Sequence, residues 1–355
     1  MPGARWEIPD WPRYLGSPEA TARLRCTPED FQVWELPLIE PENAGSHLWL
    51  ELRKRGANTQ WVAGKLAEAA GVPLRDVGFA GMKDRHAVTT QWFSIGLQEA
   101  NGADWSAWSI PGTTILQARR HSRKLQRGAL RGNRFRIILR DLQGKADTLQ
   151  HRLTAVAATG VPNYFGPQRF GRGGANVERA AHWLERGGRI KRNLRSIYLS
   201  AARSYLFNQL LAERVRRGNW NRLVNGDLAM LDGSRSTFSC ALPDAHLECR
   251  CAEFDIHPTG PLPGRSGKPG RNSAGGEAAA LEDCVLGNHA ALADGLQRAG
   301  VDADRRSLRV LPAGLEWKSD NTGLVLDFAL PPGAYATAVL RELVLTEPGT
   351  ISENR

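Results

Sequence analysis

One acid stands between two cations in the segment Gly78 to Gln91, GFAGMKDRHAVTTQ: Asp84, flanked by Lys83 and Arg85 in a glycine-bounded turn. Adjacent cations favour the ionised form of a carboxyl group. Asp84 is therefore expected to be an anion at neutral pH, a nucleophile or an electrostatic stabiliser rather than a proton donor. An arbitrary Lys-Asp-Arg triplet is usually a solvated loop; the glycines around this one argue for a reactive carboxylate.

Between Asp104 and Asp141 no acid occurs, while Arg119, Arg120, Arg123, Lys124, Arg127, Arg131, Arg134, Arg136 and Arg140 accumulate. A merely soluble face mixes both signs. A one-signed block attracts phosphates, which gives affinity without sequence choice. Inside it, GALRGNRF sets Asn133 and Phe135 two apart and so on one side of a strand. A ring stacks an unpaired base and an amide bonds to its edge, although alternation alone would bury Phe135 in the core. Asn163 to Gly171, NYFGPQRFG, places aromatics, Gln168 and Arg169 among glycines and a proline. It fits a shaped recognition loop and a domain hinge equally well.

These residues need elements to hold them. Asn58 to Ala70 reads as a helix with Asn58 as N-cap, Trp61, Val62, Leu66 and Ala69 on one face, and Gly71 as the stop. The Asp84 turn follows, and then a strand from His86 to Ile95. Asn133 to Arg140 alternates as a half-buried strand, and PEDFQVWE opens another in which Phe31 and Val33 face one way. Helices are expected over Asp147 to Thr159, Asn176 to Arg186 and Ser196 to Arg217. A strand from Thr322 to Leu330 and a helix through Leu343 close the chain. Pro258 to Gly276 is rich in Pro and Gly and reads as an exposed loop without regular structure; its Arg265, Lys268 and Arg271 could reach phosphates, but a solvated loop is the favoured reading. Strands and helices in irregular order argue α+β.

A chain of 355 residues favours two domains over one core. A net charge of +10 and a pI near 9.7 favour a polyanionic partner, nucleic acid first. No run reaches the length of a transmembrane helix and the first residues lack a signal-peptide core, so a cytoplasmic protein without a membrane partner is expected. Five cysteines make no disulfide framework. Cys249 and Cys251 beside His246 and His257 lack zinc-site spacing, so no metal is expected.

Six pieces in chain order, PEDFQVWE, GFAGMKDRHAVTTQW, KLQRGALRGNRF, GVPNYFGPQRFGRGG, LSAARSYLFNQLLAERV and LPPGAYATAVLRELV, resemble the TruD family of tRNA pseudouridine synthases. The resemblance implies a pseudouridine synthase catalytic domain, a mixed and mainly antiparallel sheet flanked by helices, with a large inserted α/β domain. Residues 1–158 and 307–355 would form the catalytic domain and 159–306 the insertion. It implies Asp84 as the catalytic aspartate. Asn133 and Phe135 would be the active-site amide and ring, with Lys83, Arg85, Gln91, Arg25 and Tyr335 near the substrate. Relatives often carry lysine where this chain has Arg25, and phenylalanine where it has Tyr335. Arginine and lysine differ in hydrogen-bond geometry.

The implied reaction is cofactor-free isomerisation of uridine 13 of tRNA; a monomer is expected by default. The nucleotide would be flipped out and held by Arg119, Arg120, Arg123, Lys124, Arg127, Arg131 and Arg169. Whether the carboxylate adds to the nucleotide or removes a sugar proton stays open. An RNA-binding protein without catalysis and a carboxylate glycosidase are the competing classes; the second needs another acid as proton donor.

Overall fold

The computed structural model describes residues 6–97, 105–265 and 273–348 and divides into two compact units. The sheet unit comprises Glu19–Leu149, Pro312–Gly333 and the described residues from Val344 on; the helical unit comprises the described residues up to Pro18, Gln150–Leu311 and Ala334–Leu343. Among the described residues, no helix is long and apolar enough to cross a membrane.

The sheet unit begins with strands β1 (Thr21–Leu24), β2 (Phe31–Pro37) and β3 (His47–Arg55). Helix α1 (Thr59–Ala70), β4 (Val77–Phe79), β5 (Val88–Gly96), β6 (Thr113–His121) and the long β7 (Leu130–Gln143) follow. Asn58 caps α1 as expected: its Oδ1 accepts from Gln60 N and Trp61 N, and Gly71 ends the helix at φ 65°. The buried face of α1 is Val62, Ala63, Leu66 and Ala67, packed on Leu48, Leu50 and Leu52 of β3. Trp61 and Ala69, expected on that face, are exposed, because they lie roughly 170° and 90° around the helix from the centre of the buried face.

The chain passes into the helical unit within α2 (Ala146–Thr159) and continues through β8 (Val161–Pro162), α3 (Ala175–Arg186) and the long α4 (Arg192–Arg216). Next come β9 (Asp227–Leu231), β10 (Thr237–Cys240), α5 (Ala245–Ala252), β11 (Ile256–Leu262), α6 (Gly276–Gly287), α7 (Ala290–Arg298), β12 (Asp304–Ser307) and β13 (Arg309–Val310). Its core gathers Tyr205, Leu206, Phe207 and Leu211 of α4 with Val177 and Ala180 of α3. Trp11 stacks on Tyr164 with ring centroids 6.0 Å apart, and Arg341 donates to the carbonyls of Trp11 and Pro12. These contacts explain why the N-terminal segment and residues 334–343 belong to this unit, whereas the expected segments changed only near residues 158 and 306.

The stretch expected as a loop from Pro258 is a correction. β11 runs through Pro258 and Pro261, with Ile256 to Gly260 buried. It pairs with β9 through Pro258 and with β12 from Thr259 on, so Pro258 sits where the ladder changes partners. Its carbonyl still accepts from Leu308 N at 2.8 Å, since proline forfeits only the donor. A Cβ on Gly260 would lie 2.9 Å from Leu210 and 3.2 Å from Phe207. Proline and glycine here mark a handover and a close approach to α4. Arg265 pairs with Asp302; Lys268 and Arg271 lie outside the described residues.

The chain re-enters the sheet with β14 (Ala313–Asp320) and β15 (Gly323–Leu330), supplies α8 (Ala336–Leu343) to the helical unit, and ends its described course in β16 (Leu345–Pro348). The ten-stranded sheet runs β14-β15-β7-β2-β5-β3-β6, with β1 beside β7 and β16, and β4 beside β5. Only β2 with β5 and β1 with β16 are parallel. The α+β class and the mixed, mainly antiparallel sheet are as expected.

Candidate active site

Register decides which side chains share a face. Asn133 lies opposite Glu35 of β2 and Leu330 of β15; Phe135 lies opposite Val33 and Phe328. Val33 in turn pairs with Thr89 of β5, and Thr89 with Lys54 of β3. Cross-strand partners point the same way. Lys54, Gln91, Glu35, Asn133 and Phe135 therefore all project from one face of the sheet, and the turn between β4 and β5 carries Asp84 over it.

Four contacts fix that turn. Thr59 Oγ1 accepts from Lys83 N at 3.0 Å and donates to Gln91 Oε1 at 3.0 Å, and Gln91 Nε2 donates to Gly81 O at 3.2 Å. Lys54 Nζ donates to Ala57 O at 2.8 Å and to Asp84 O at 3.2 Å. Lys83 Nζ pairs with Glu35 Oε2, whose other oxygen accepts from Trp92 N at 3.3 Å. Burial pushes the Lys54 ammonium down to about 8; the nearby Asp84 charge opposes that shift and Lys83 adds to it.

Asp84 itself is held more loosely. Its Oδ1 accepts from His86 N at 3.0 Å, a local turn bond, and its Oδ2 meets Arg25 Nη2 at 2.5 Å. The Asp84 and Arg25 side chains remain 33% and 28% exposed, whereas those of Lys83 and Glu35 are 6% and 1% exposed. Arg25 takes φ 62°, a left-handed conformation uncommon for a non-glycine residue. Its guanidinium lies 4.3 Å from the Phe31 ring centroid, and its Nε is buried without a partner. Behind Arg25, Asp30 is fully buried. Burial alone would raise its carboxyl, but the Arg140 fork at 2.7 to 3.0 Å and the Thr27 N–H outweigh it and hold the group below the usual carboxylate range.

The cation against Asp84 is thus Arg25 and not its sequence neighbours, a correction to the expected bracing. Lys83 turns inward to Glu35, and Arg85 is exposed. Phe135 is 7% exposed, between Phe328 (5.4 Å, stacked) and Phe31 (6.1 Å, edge-on), the core position that alternation implied. Asn133 is half-buried with its Oδ1 unpartnered.

The basic block does not stay one-signed in three dimensions. Arg140 is taken by Asp30, and Arg134 and Arg136 meet Asp327 at 3.5 and 3.0 Å. Arg119 donates to Asn43, Lys124 to Arg75 O, and Arg127 lies over Phe79. Arg123 and Arg131 are exposed, and Arg120 is partly so.

Arg169 and Tyr335 lie in the helical unit and bind each other. Arg169 Nε and Nη2 donate to Tyr335 Oη at 3.0 and 2.6 Å, and Nη1 donates to Ser200 Oγ at 2.9 Å. The Tyr335 hydroxyl thus accepts both bonds from one arginine. Asn163, Tyr164, Phe165 and Phe170 are buried, so NYFGPQRFG is mainly part of that unit's interior.

Glu35, Lys54 and Thr59 were not singled out from the sequence, yet two of them left a signal. Leu48, Leu50 and Leu52 alternate inward and Lys54 is next in that register; Phe31 and Val33 do so and Glu35 is next. A charge on an inward strand position needs a partner.

The family model described as tRNA pseudouridine synthase D (TruD) matches residues 13–187 and 176–343. A tRNA pseudouridine synthase D of Methylococcus capsulatus is 48% identical over 341 residues, covering 96% of this chain and 95% of the relative. One from Nitrosococcus oceani is 48% identical over 340 residues, covering 94% of each. A crystal structure named for TruD of Methanosarcina mazei shares the fold with TM-score 0.71, at 23% identity and over 97% of this chain and 98% of that one. The chain belongs to the TruD family of tRNA pseudouridine synthases.

Proposed function

We propose that the protein isomerises uridine to pseudouridine in tRNA, at position 13, with Asp84 as the catalytic group. The observation that carries the reading is the half-open Asp84 carboxylate, set on a braced turn over the face that bears Asn133 and Phe135. Relatives matching nearly the whole chain bear the name of that enzyme.

The reaction breaks the bond from uracil N1 to ribose C1′ and makes one from C5 to C1′. The C5 proton leaves and N1 gains one, so composition is unchanged and no redox partner is needed. A uridine must leave its stack to meet Asp84, which then adds to the nucleotide or takes a sugar proton. Arg25 Nη2 orients the carboxylate, and Lys54 holds its backbone. Asn133 Oδ1 accepts from the uracil N3–H, which satisfies an otherwise orphaned acceptor. Phe135, locked between two rings, gives the turning base a rigid floor. Exposed Arg123 and Arg131, with Arg120, draw the phosphates in.

A glycosidase would need a free second acid, and Glu35, the nearest described carboxylate partner of this turn, is sealed against Lys83. The test is Asp84→Asn assayed on unmodified tRNA. Pseudouridine formation is expected to vanish while tRNA binding persists; turnover by that variant refutes the assignment.

A further inference from the structure

We propose that the opposite face of the sheet carries a second nucleotide site, a groove that takes one nucleotide of the RNA strand beside the target uridine. It rests on the proposed RNA substrate. One transverse row crosses five strands: Arg134 pairs with Trp34, Trp34 with Thr90, Thr90 with Arg53, and Arg53 with Thr114. Each neighbours in sequence a residue of, or level with, the Asp84 face, such as Lys54 beside Arg53, so this row projects the other way.

Trp34, Thr90, Arg53 and Thr114 of that row, with Gln32, line a groove of 530 Å³ whose lining also includes the Arg55 and Glu29 ion pair at 2.6 Å. Its chemistry is that of a nucleotide. Trp34 is half-buried with the Arg134 guanidinium 5.7 Å from its ring centroid, a cation and a ring suited to stack a base. Two strands away, about 10 Å at the usual spacing, Arg53 is exposed and has no ion-pair or hydrogen-bond partner among the described residues. Between them Thr90 offers a hydroxyl. The carboxylates nearby, Glu29 and Asp327, are already engaged by Arg55 and by Arg134 with Arg136. The free charge facing the groove is therefore positive.

Its position suits a strand passing the catalytic turn. Val88, which lines the groove, stands four residues after Asp84, so at most about 14 Å of chain separates them. A nucleotide next to the everted uridine can reach the groove around that end of β5, with its base on Trp34 and its phosphate on Arg53.

The test is equilibrium binding of a tRNA transcript across a salt series to the full chain and to Arg53→Gln and Trp34→Leu. Arg53 is exposed, so its variant keeps the fold. Arg53→Gln is expected to weaken binding about tenfold and to lower the slope of log affinity against log salt by roughly 0.7 to 0.9, one phosphate contact. Trp34→Leu is expected to cost about tenfold with the slope unchanged. Wild-type affinity and slope in both variants overturn the proposal. So does a saturable complex with uridine monophosphate alone that Arg53→Gln abolishes while tRNA affinity stays intact, since the occupant is then a free nucleotide. A chain that binds tRNA without forming pseudouridine sinks the proposed activity and leaves this test standing.

Discussion

Lys83 and Asp84 are consecutive, yet their side chains enter two different ion pairs. Lys83 is sealed against Glu35 with almost no exposure, while Asp84 meets Arg25 with about a third of its side chain open. The closed pair belongs to the scaffold: with Thr59, Gln91 and Lys54 it fixes the backbone of the turn. The open pair leaves a carboxylate that a substrate can approach. One turn thereby combines a fixed backbone with an accessible carboxylate, the combination that a pre-organised site requires.

The largest expected effect separates the two pairs by activity. Asp84→Asn keeps shape and removes charge, so pseudouridine formation should fall by at least about 10³-fold, while the unfolding midpoint shifts little because a partly exposed pair contributes about 0 to 1 kcal/mol. Glu35→Leu should do the reverse. Removing one member of a buried pair strands the other, at a cost of about 3 to 5 kcal/mol, read by urea denaturation. The double variant Lys83→Met with Glu35→Leu should recover much of that loss. If Glu35→Leu alone is neutral, the closed pair is not what fixes the turn.

The sequence made much of this fold legible and less of its bracing. Local signals were sufficient where they act locally: Asn58 and Gly71 end a helix by capping geometry, and Phe135, Ile137 and Leu139 alternate because β7 buries one face. The Lys83 and Arg85 bracket misled because adjacency along a chain does not fix where side chains point. The contact to Asp84 comes from Arg25, fifty-nine residues earlier and aimed by a left-handed backbone. The basic block misled likewise, since Asp30 and Asp327 arrive by strand pairing. β11 was hidden because Pro258 marks a change of ladder partner and Gly260 a close approach to α4, neither of which composition reports.

Lys54 sharpens the comparison through pH, because it serves the turn from the buried side. The unfolded chain keeps this proton to the ordinary value of 10.5, while the folded chain gives it up near 8. The unfolded state binds more protons in that window, so stability attributable to Lys54 rises with pH between about 8 and 10.5, by up to about 3 kcal/mol. Activity should move the other way, since a neutral amine holds the Asp84 carbonyl less firmly than an ammonium. Urea denaturation of the wild type and of Lys54→Met at pH 7 and pH 9.5 reads the first effect. The gap between them should change with pH in this sense; a constant gap means Lys54 does not titrate there.

The smallest effect probes the open pair itself. Arg25→Lys keeps the charge but removes the planar fork, the Nε–H and the stacking of a guanidinium on Phe31. A lysine at φ 62° bears the same backbone strain, so stability should change by less than about 1 kcal/mol. The ammonium still reaches Asp84, but as a single point charge without a preferred plane, and the carboxylate should be aimed less well. A loss of about tenfold in kcat/KM, about 1.4 kcal/mol, is expected. A drop as deep as that of Asp84→Asn gives Arg25 a direct part in the chemistry. No drop at all means that the charge alone, and not the fork, is what the half-open pair uses.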